Sequence, residues 1–488
     1  MDALSGMSGT VDAIMQVMNG TEWQNYTFWD NMRIAIAPGD GPPVPYLAVL
    51  ACMATPFALL FIWELVIVSA NTRAPRACKR LGLSPGEQSN LHDQYHDRYS
   101  PKSVSNADPS DGRIKAILLY PVKSCAPIDV ASTSVLRTGF PYDREFVFAQ
   151  LEKQPDASYK WKFITQRQFP KLALVRPEVW LPTGNSSKKS SSDYERGSLV
   201  VTFPAPNLGP VINFLRSLAP RLITRSLTAG PTVQFRIPLL PTLAERTKFA
   251  LLTKPVRVWD DTPNAIDMGK LIPQSIKSDL ASVLGVKNTL TIFRVLPDAE
   301  RQVLRRAPPS DDIGYAPIHR FSDSYPLHLQ NIASVQALAN ELPQSFPGRL
   351  SGLRFRANIY VAGPPAYAED TWKRFSVQQP AAGNSNPRPF LVTLPTTRCA
   401  LPNVDPATGT TVPYPRNAAT RTPWRPGDAE DAGEEGSAYN EPSKTMKRLR
   451  CIDPLEPGKP CLGVQMLPAT DPEGEAWEVR VGDRFTAQ

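Results

Sequence analysis

Between Tyr46 and Ala70 the chain runs through apolar residues with one charge, Glu64. A helix of about 20 such residues crosses the hydrocarbon core of a bilayer. A charge at mid-helix costs about 2.5–3.5 kcal/mol and less near an end, and several Leu, Ile and Phe offset it at a few tenths each. Pro56 is tolerable in a membrane helix. Core helices of soluble proteins seldom run so far without polar residues. The run starts far from Met1 and lacks a basic region before it, which argues against a cleaved signal peptide. A single transmembrane helix over 46–70 is therefore expected, and the rest of the chain must fold on one side of it or the other.

The flanks set the side. Asp2, Asp12, Glu22, Asp30 and Asp40 precede the helix with Arg33 as the single counter-charge, whereas Arg73, Arg76, Lys79 and Arg80 follow it. The positive-inside rule then puts the C-terminal body in the cytosol. Asn19-Gly-Thr21 and Asn25-Tyr-Thr27 are N-glycosylation triplets on the far side, and they point to an endoplasmic reticulum lumen.

The chain has 488 residues, enough for two or more domains, and 42% are apolar, ample for a packed core. Its net charge of +8 is modest, and no basic run interleaved with aromatics suggests nucleic acid. The six cysteines include no CxxC pair, and four histidines leave little for a zinc site. Residues 1–45 read as a non-cytosolic segment and 71–111 as a polar linker. Short strand patterns crowd 112–290: 113–120, 145–150, 161–165, 172–180, 199–203 and 256–259. Helical spacing marks 272–284 and 332–342. In 291–488 further strands are expected at 355–362, 463–467 and 477–481, interrupted by insertions near 378–390 and 409–443 whose composition reads as disordered. The class is α+β, built on a β-barrel, with a β-rich N-terminal subdomain.

Cys399 carries the chemistry. A soft thiolate suits a soft or high-valent transition metal. A cation beside it favours the deprotonated sulfur, and Arg398 is adjacent. A Cys/His hydrolase would need a histidine base. His92 and His96 fall in the linker, and nothing places His319 or His328 beside Cys399. Upstream, Lys123 and Ser124 follow a strand and Pro121, where an ammonium and a hydroxyl can hold a phosphate. Arg144 offers a bidentate fork to the same anion, and Arg167 can act likewise. Taken singly, each of these charges also fits a solvated surface residue.

Seven stretches together resemble the MOSC-domain proteins, and most closely the mitochondrial amidoxime-reducing component family: YPVKSC (120–125), Asp143-Arg144, TQRQFP (165–170), Ser322–Pro326, FRANI (355–359), YAEDTW (367–372) and Arg398–Gly409. The resemblance covers residue 112 to the C-terminus and implies a MOSC fold. It implies molybdenum bound by Cys399 and by the dithiolene of a pterin, the molybdenum-molybdopterin cofactor. Lys123, Ser124 and Arg144 would hold that cofactor, with Asp323, Ser324, Arg398 and Arg356 lining the pocket. The implied activity is reduction of N-hydroxylated compounds such as amidoximes, with electrons from cytochrome b5 and its NADH-dependent reductase, at the mitochondrial outer membrane. The alternative is a carrier or sulfur-transfer protein, since MOSC domains also end the molybdenum-cofactor sulfurases. The length leaves no room for the pyridoxal-phosphate domain of those proteins, which implies a carrier only. Two departures from the family pattern, Pro402-Asn403 before Val404-Asp405-Pro406 and Tyr325 before Pro326, are expected to narrow the substrate pocket.

Overall fold

The computed structural model describes residues 46–71, 75, 77–84, 86–104, 112–183, 197–296, 299–378, 388–411, 441–469 and 477–488. The triplets at Asn19 and Asn25 and the middles of both insertions lie outside these residues. Five helices matter here: α1 Tyr46–Asn71, α2 Pro210–Thr224, α3 Gln274–Leu284, α4 Ile332–Asn340 and α5 Ser443–Leu449. Helix α1 is long and apolar enough to cross a membrane.

Two closed barrels dominate residues 112–488. The larger has seven strands, in the order Ile359–Ala362, Leu327–Asn331, Cys461–Pro468, Arg388–Thr397, Arg374–Gln378, Arg484–Ala487 and Arg113–Leu119, which pairs back to the first. Leu327–Asn331 and Ile359–Ala362 run parallel. A parallel pair needs a crossover, and α4 supplies it, capped by the Asn331 side chain accepting from the Ala333 N–H. Closure leaves no open edge on the barrel wall. The smaller barrel has five strands, Thr253–Arg257, Asn264–Asp267, Leu290–Val295, Phe146–Lys153 and Tyr159–Phe163. A separate four-stranded sheet joins Cys78–Arg80, Arg176–Pro182, Ser198–Pro204 and Thr232–Pro238.

The barrels do not follow the expected division at 290/291. Arg113–Leu119 closes the C-terminal barrel, and Leu290–Val295 closes the N-terminal one. Strand pairing across sequence decides this, and composition does not record it. The linker reading of 71–111 is also corrected over 77–104. Cys78–Arg80 pairs with Arg176–Pro182. The Asp129 carboxylate accepts from Ser89 Oγ at 2.6 Å and from the Asn90 backbone and side chain at 2.8 Å each. Leu91 is buried against Tyr120 and Tyr360. The segment is polar because its polar groups are bound to the body. The second insertion is shorter than expected at its far end, since Glu441 is buried and α5 begins at Ser443. The first ends earlier too, for Arg388 already belongs to a barrel strand.

Residues 170–174 form a 3-10 turn before the strand at Arg176, although the sequence suggests one strand from 172. Helix α2 has no counterpart in the sequence reading, because Pro210 and Pro220 mask its periodicity. Pro210 is tolerated at the first position of the helix, where its missing N–H would have no partner.

Candidate functional site

The segment 354–358 is the hub of the site. From 355 on a strand is expected, but a 3-10 turn covers Gly352–Phe355, with Arg356 in the left-handed region (φ 53°), and the strand starts only at Ile359. This turn sends alternate side chains to different loops. Arg354, nearly inaccessible, donates to the Pro402 and Asn403 carbonyls at 3.1 Å and to Asp405 Oδ2 at 3.0 Å, which holds the loop after Cys399. Arg356 donates to the Cys125 carbonyl at 2.7 Å, which holds the loop carrying Lys123 and Ser124. Asn358 Oδ1 accepts from Arg144 Nη1 at 2.8 Å, and its Nδ2 donates to the Leu118 carbonyl. Residues more than 200 positions apart are thereby fixed to one another.

Arg144 also donates to the Arg356 carbonyl at 3.0 Å and pairs with buried Asp143. Both Arg144 and Arg356 lie over the buried Tyr120 ring, at 4.5 and 4.3 Å. Ser124 and Arg144 adopt positive φ (65° and 48°), which tightens the turns that bring them inward. Lys123 is buried and donates to the Phe321 carbonyl at 2.7 Å and to Asp323 Oδ1 at 2.6 Å. Burial pushes its ammonium pKa down, and Asp323 opposes that shift. Asp323 itself keeps 63% of its side chain accessible, so the pair joins a buried cation to a carboxylate at the mouth. Crowding works against the charge of that carboxylate, but Lys123, the Trp259 indole and Arg167 hold its pKa well below the usual range.

Arg398 follows the barrel strand Arg388–Thr397, donates its backbone N–H to the Pro460 carbonyl and directs its guanidinium to the Phe355 carbonyl. Burial lowers its pKa, while Cys399, Tyr360, Asp323 and Tyr120 act in the other direction. Besides its neighbour Cys399, groups from three distant segments thus act on one guanidinium. Cys399 is a free, exposed thiol whose backbone carbonyl accepts from Ser443 Oγ at 3.3 Å. Lys123, Arg144, Arg356 and Arg398 outnumber the carboxylates among them, Asp143 and Asp323, so the floor carries surplus positive charge. Such a floor attracts an anion.

Sequence reasoning missed Arg354, Asn358 and Trp259. The first two carried a signal, since polar residues alternate with apolar ones in Arg354-Phe355-Arg356-Ala357-Asn358. Trp259 sits in a tight turn (φ 58°), donates to Asp323 Oδ1 at 2.9 Å and is covered by Arg167 at 4.3 Å. With Phe163, Thr165, Gln168 and Arg257 these two line an open cleft of about 210 Å³ on the small barrel. Cys399 is not among its lining residues.

Both departures lie in the interior. Tyr325 is buried among Val303, Ile313, Tyr315, Leu394 and Leu467, and its hydroxyl donates to the Arg305 and Arg306 carbonyls at 2.9 Å. Asn403 is buried, and its side chain accepts from the Ser443 N–H at 3.0 Å, fastening α5 beneath the Cys399 loop. Both are structural residues. Burial holds both inner histidines neutral: His319 is pushed down to about 3, and His328 lies well below its ordinary range. Gly463 (φ 75°) allows His328 to pack close, since a Cβ there would stand 2.6 Å from Nε2. Among the described residues no hydrogen bond joins the Cys399 thiol to a histidine, and no cluster of three His, Cys, Asp or Glu side chains could bind a metal.

The chain is 25% identical to molybdenum cofactor sulfurase 3 of Aedes aegypti over 304 residues, 61% of this chain and 30% of that protein. It is 26% identical to the molybdenum cofactor sulfurase of Chaetomium globosum over 307 residues, 55% of this chain and 34% of that one. A 78-residue stretch is 32% identical to the Arabidopsis thaliana sulfurase, 16% of this chain and 8% of that protein. The chain therefore spans about a third of the first two relatives. Residues 111–205 match the MOSC N-terminal beta barrel domain and residues 316–486 the MOSC domain, together more than half of the chain. With a floor of converging cations beside an exposed thiol at the end of a barrel strand, this chain belongs to the MOSC-domain family.

Proposed function

We propose that this protein is a membrane-anchored MOSC protein that binds the molybdenum cofactor and presents it in the manner of a carrier or sulfur-handling module. The observation that carries this reading is the convergence of Arg144 and Arg356 over Tyr120, with Arg398 acting on the same ring and on Cys399, and with Lys123 held at Asp323. The donor set fits such a group. One protein sulfur is too few to hold a metal alone, but it suffices where a pterin dithiolene supplies the other sulfurs. Lys123, Arg144, Arg356 and Arg398 would receive the pterin phosphate, and Ser124, Asp323 and Ser324 would border the pocket. The protein's part is to neutralise the anion, fix its orientation and offer Cys399 to the metal; the cofactor, when bound, supplies the redox chemistry. The similarity to proteins named molybdenum cofactor sulfurases supports this reading.

A second reading is favoured by the exposure of Cys399 at the surface. A small N-hydroxylated molecule would reach a centre held there, and reduction would draw electrons from cytochrome b5 and its NADH-dependent reductase. Helix α1 would confine the protein to the membrane that holds those partners and raise their effective concentration. The flanking charges support a body in the cytosol, with the anchor in the mitochondrial outer membrane or the endoplasmic reticulum.

Full-length protein made in a molybdopterin-competent host should contain molybdenum and pterin in equal amounts. Protein without molybdenum would overturn both readings. Benzamidoxime turnover with added cytochrome b5 and reductase would favour the second, and loaded protein without turnover the first.

A further inference from the structure

Helix α2 is built inside out for a helix on a water-exposed surface. Its small residues Ser217 and Ala219, with Pro220, are buried toward the body. Its large apolar residues face outward: Val211 is 67% exposed, Phe214 56% and Leu222 68%, with Ile212, Leu218 and Ile223 between 37% and 42%. Val211, Phe214, Leu218 and Leu222 follow one another at helical spacing, so they form one stripe. A soluble protein normally turns such a stripe to its core, and a contiguous patch of this kind marks an interaction site. The helix carries Arg216 and Arg221, and no acidic residue.

Two observations identify what covers the stripe. Arg216 forms an ion pair with Glu64, the lone charge of α1, and Glu64 is almost fully buried by it. The α2 segment also connects two strands of the four-stranded sheet whose edge strand, Cys78–Arg80, is the first strand after α1. The apolar stripe is thus tied to the cytosolic end of the helix that reads as the membrane anchor. We infer that α2 lies in the plane of the same membrane, its stripe sunk among the acyl chains at the interface, with Arg216 held by Glu64 and Arg221 at the level of anionic headgroups. An interfacial helix of this composition binds through apolar area plus attraction to anionic lipid. The body then has two attachments instead of one flexible tether, and its orientation to the bilayer is fixed. This inference rests on the reading of α1 as a membrane span.

The test uses the full-length chain in vesicles of equimolar phosphatidylcholine and phosphatidylserine that contain a lipid with a photoactivatable diazirine in its acyl chain. Lipid adducts are mapped by mass spectrometry after illumination. Adducts are expected both within Ala51–Val68 and on the peptide spanning Val211–Leu222. The double variant Leu218→Glu/Leu222→Glu should lose the α2 adducts roughly tenfold while the α1 adducts stay unchanged. The milder Leu218→Ser/Leu222→Ser serves if the charges impair folding. Adducts on α1 with none on α2 would overturn the inference and leave the anchor standing. Adducts on neither would remove the anchor and the inference with it. A stripe that escapes lipid but cross-links to another stretch of the chain or to a second copy would also overturn it.

Discussion

The floor and the wall of the candidate site are held by different kinds of force. On the floor, Arg144, Arg356 and Arg398 each donate to a backbone carbonyl, those of Arg356, Cys125 and Phe355. Backbone acceptors cannot swing away, so these guanidiniums are fixed before any ligand arrives. The wall on the small barrel is aromatic: Phe163 meets Trp259 edge-on at 5.0 Å, and Arg167 is stacked over Trp259. Stacking tolerates sliding, whereas a charge-assisted hydrogen bond to a carbonyl fixes direction. The difference suits the floor to a group of fixed negative charge and the wall to ligands of varied shape.

The largest expected effect removes what the floor presents. Cys399→Ala should drop turnover, or metal retention in the carrier reading, by more than about 100-fold, beyond the cost of losing a metal's outer partner. Its unfolding midpoint should stay unchanged, because the exposed thiol contributes little to the core. Metal content and urea denaturation on the same preparation check both halves, and wild-type metal content would break the assignment.

Next in size, Arg144→Leu should destabilise the protein by about 3–5 kcal/mol, since it leaves the buried Asp143 carboxylate without its counter-charge. Arg167→Leu, the corresponding change on the wall, should cost under about 0.5 kcal/mol. Equal effects of the two would erase the contrast.

The third prediction concerns pH and the framework under the floor. Glu369 is fully buried between the Ser334 hydroxyl and Asp370, and burial together with Asp370 raises its pKa from 4.5 to about 7. The folded state keeps this proton longer than the unfolded chain does. The stabilising contribution is therefore complete below about pH 4.5 and is lost as pH rises through about 7, a decline of about 3 kcal/mol. Glu369→Gln should flatten that slope in a series of urea midpoints, and an unchanged slope would place the titrating group elsewhere.

The smallest effect is expected at the wall. Trp259→Ala removes the stacking partner of Arg167 and one donor to Asp323. It should weaken an organic ligand by about 1–2 kcal/mol. In the reductase reading KM rises while kcat holds, and a fall in kcat alone would move Trp259 from the wall to the reacting centre.

Much of the fold could be read from periodicity. The strands at 113, 146, 198 and 461 and the helices over 274–284 and 332–340 lie close to where alternation and helical spacing put them. What escaped was set by partners remote in sequence. Residues 77–104 read as linker because their polar groups meet Asp129, Lys115 and the loop carbonyls of the body. The strand expected at 355 begins four residues late because Arg354 and Arg356 each serve a different loop. Tyr325 and Asn403, which as letters suggest a narrowed pocket, turn out to fasten the interior.

The sequence alone determined the apolar helix over 46–70, the β-rich body, and the residue types able to grip an anion and a soft metal, because these follow from composition and local spacing. Only the tertiary structure decided which strands close which barrel, that four cations share one floor, and that α2 turns its apolar stripe outward. Those outcomes depend on contacts between segments tens to hundreds of residues apart, and no local pattern encodes which distant partner a side chain will meet.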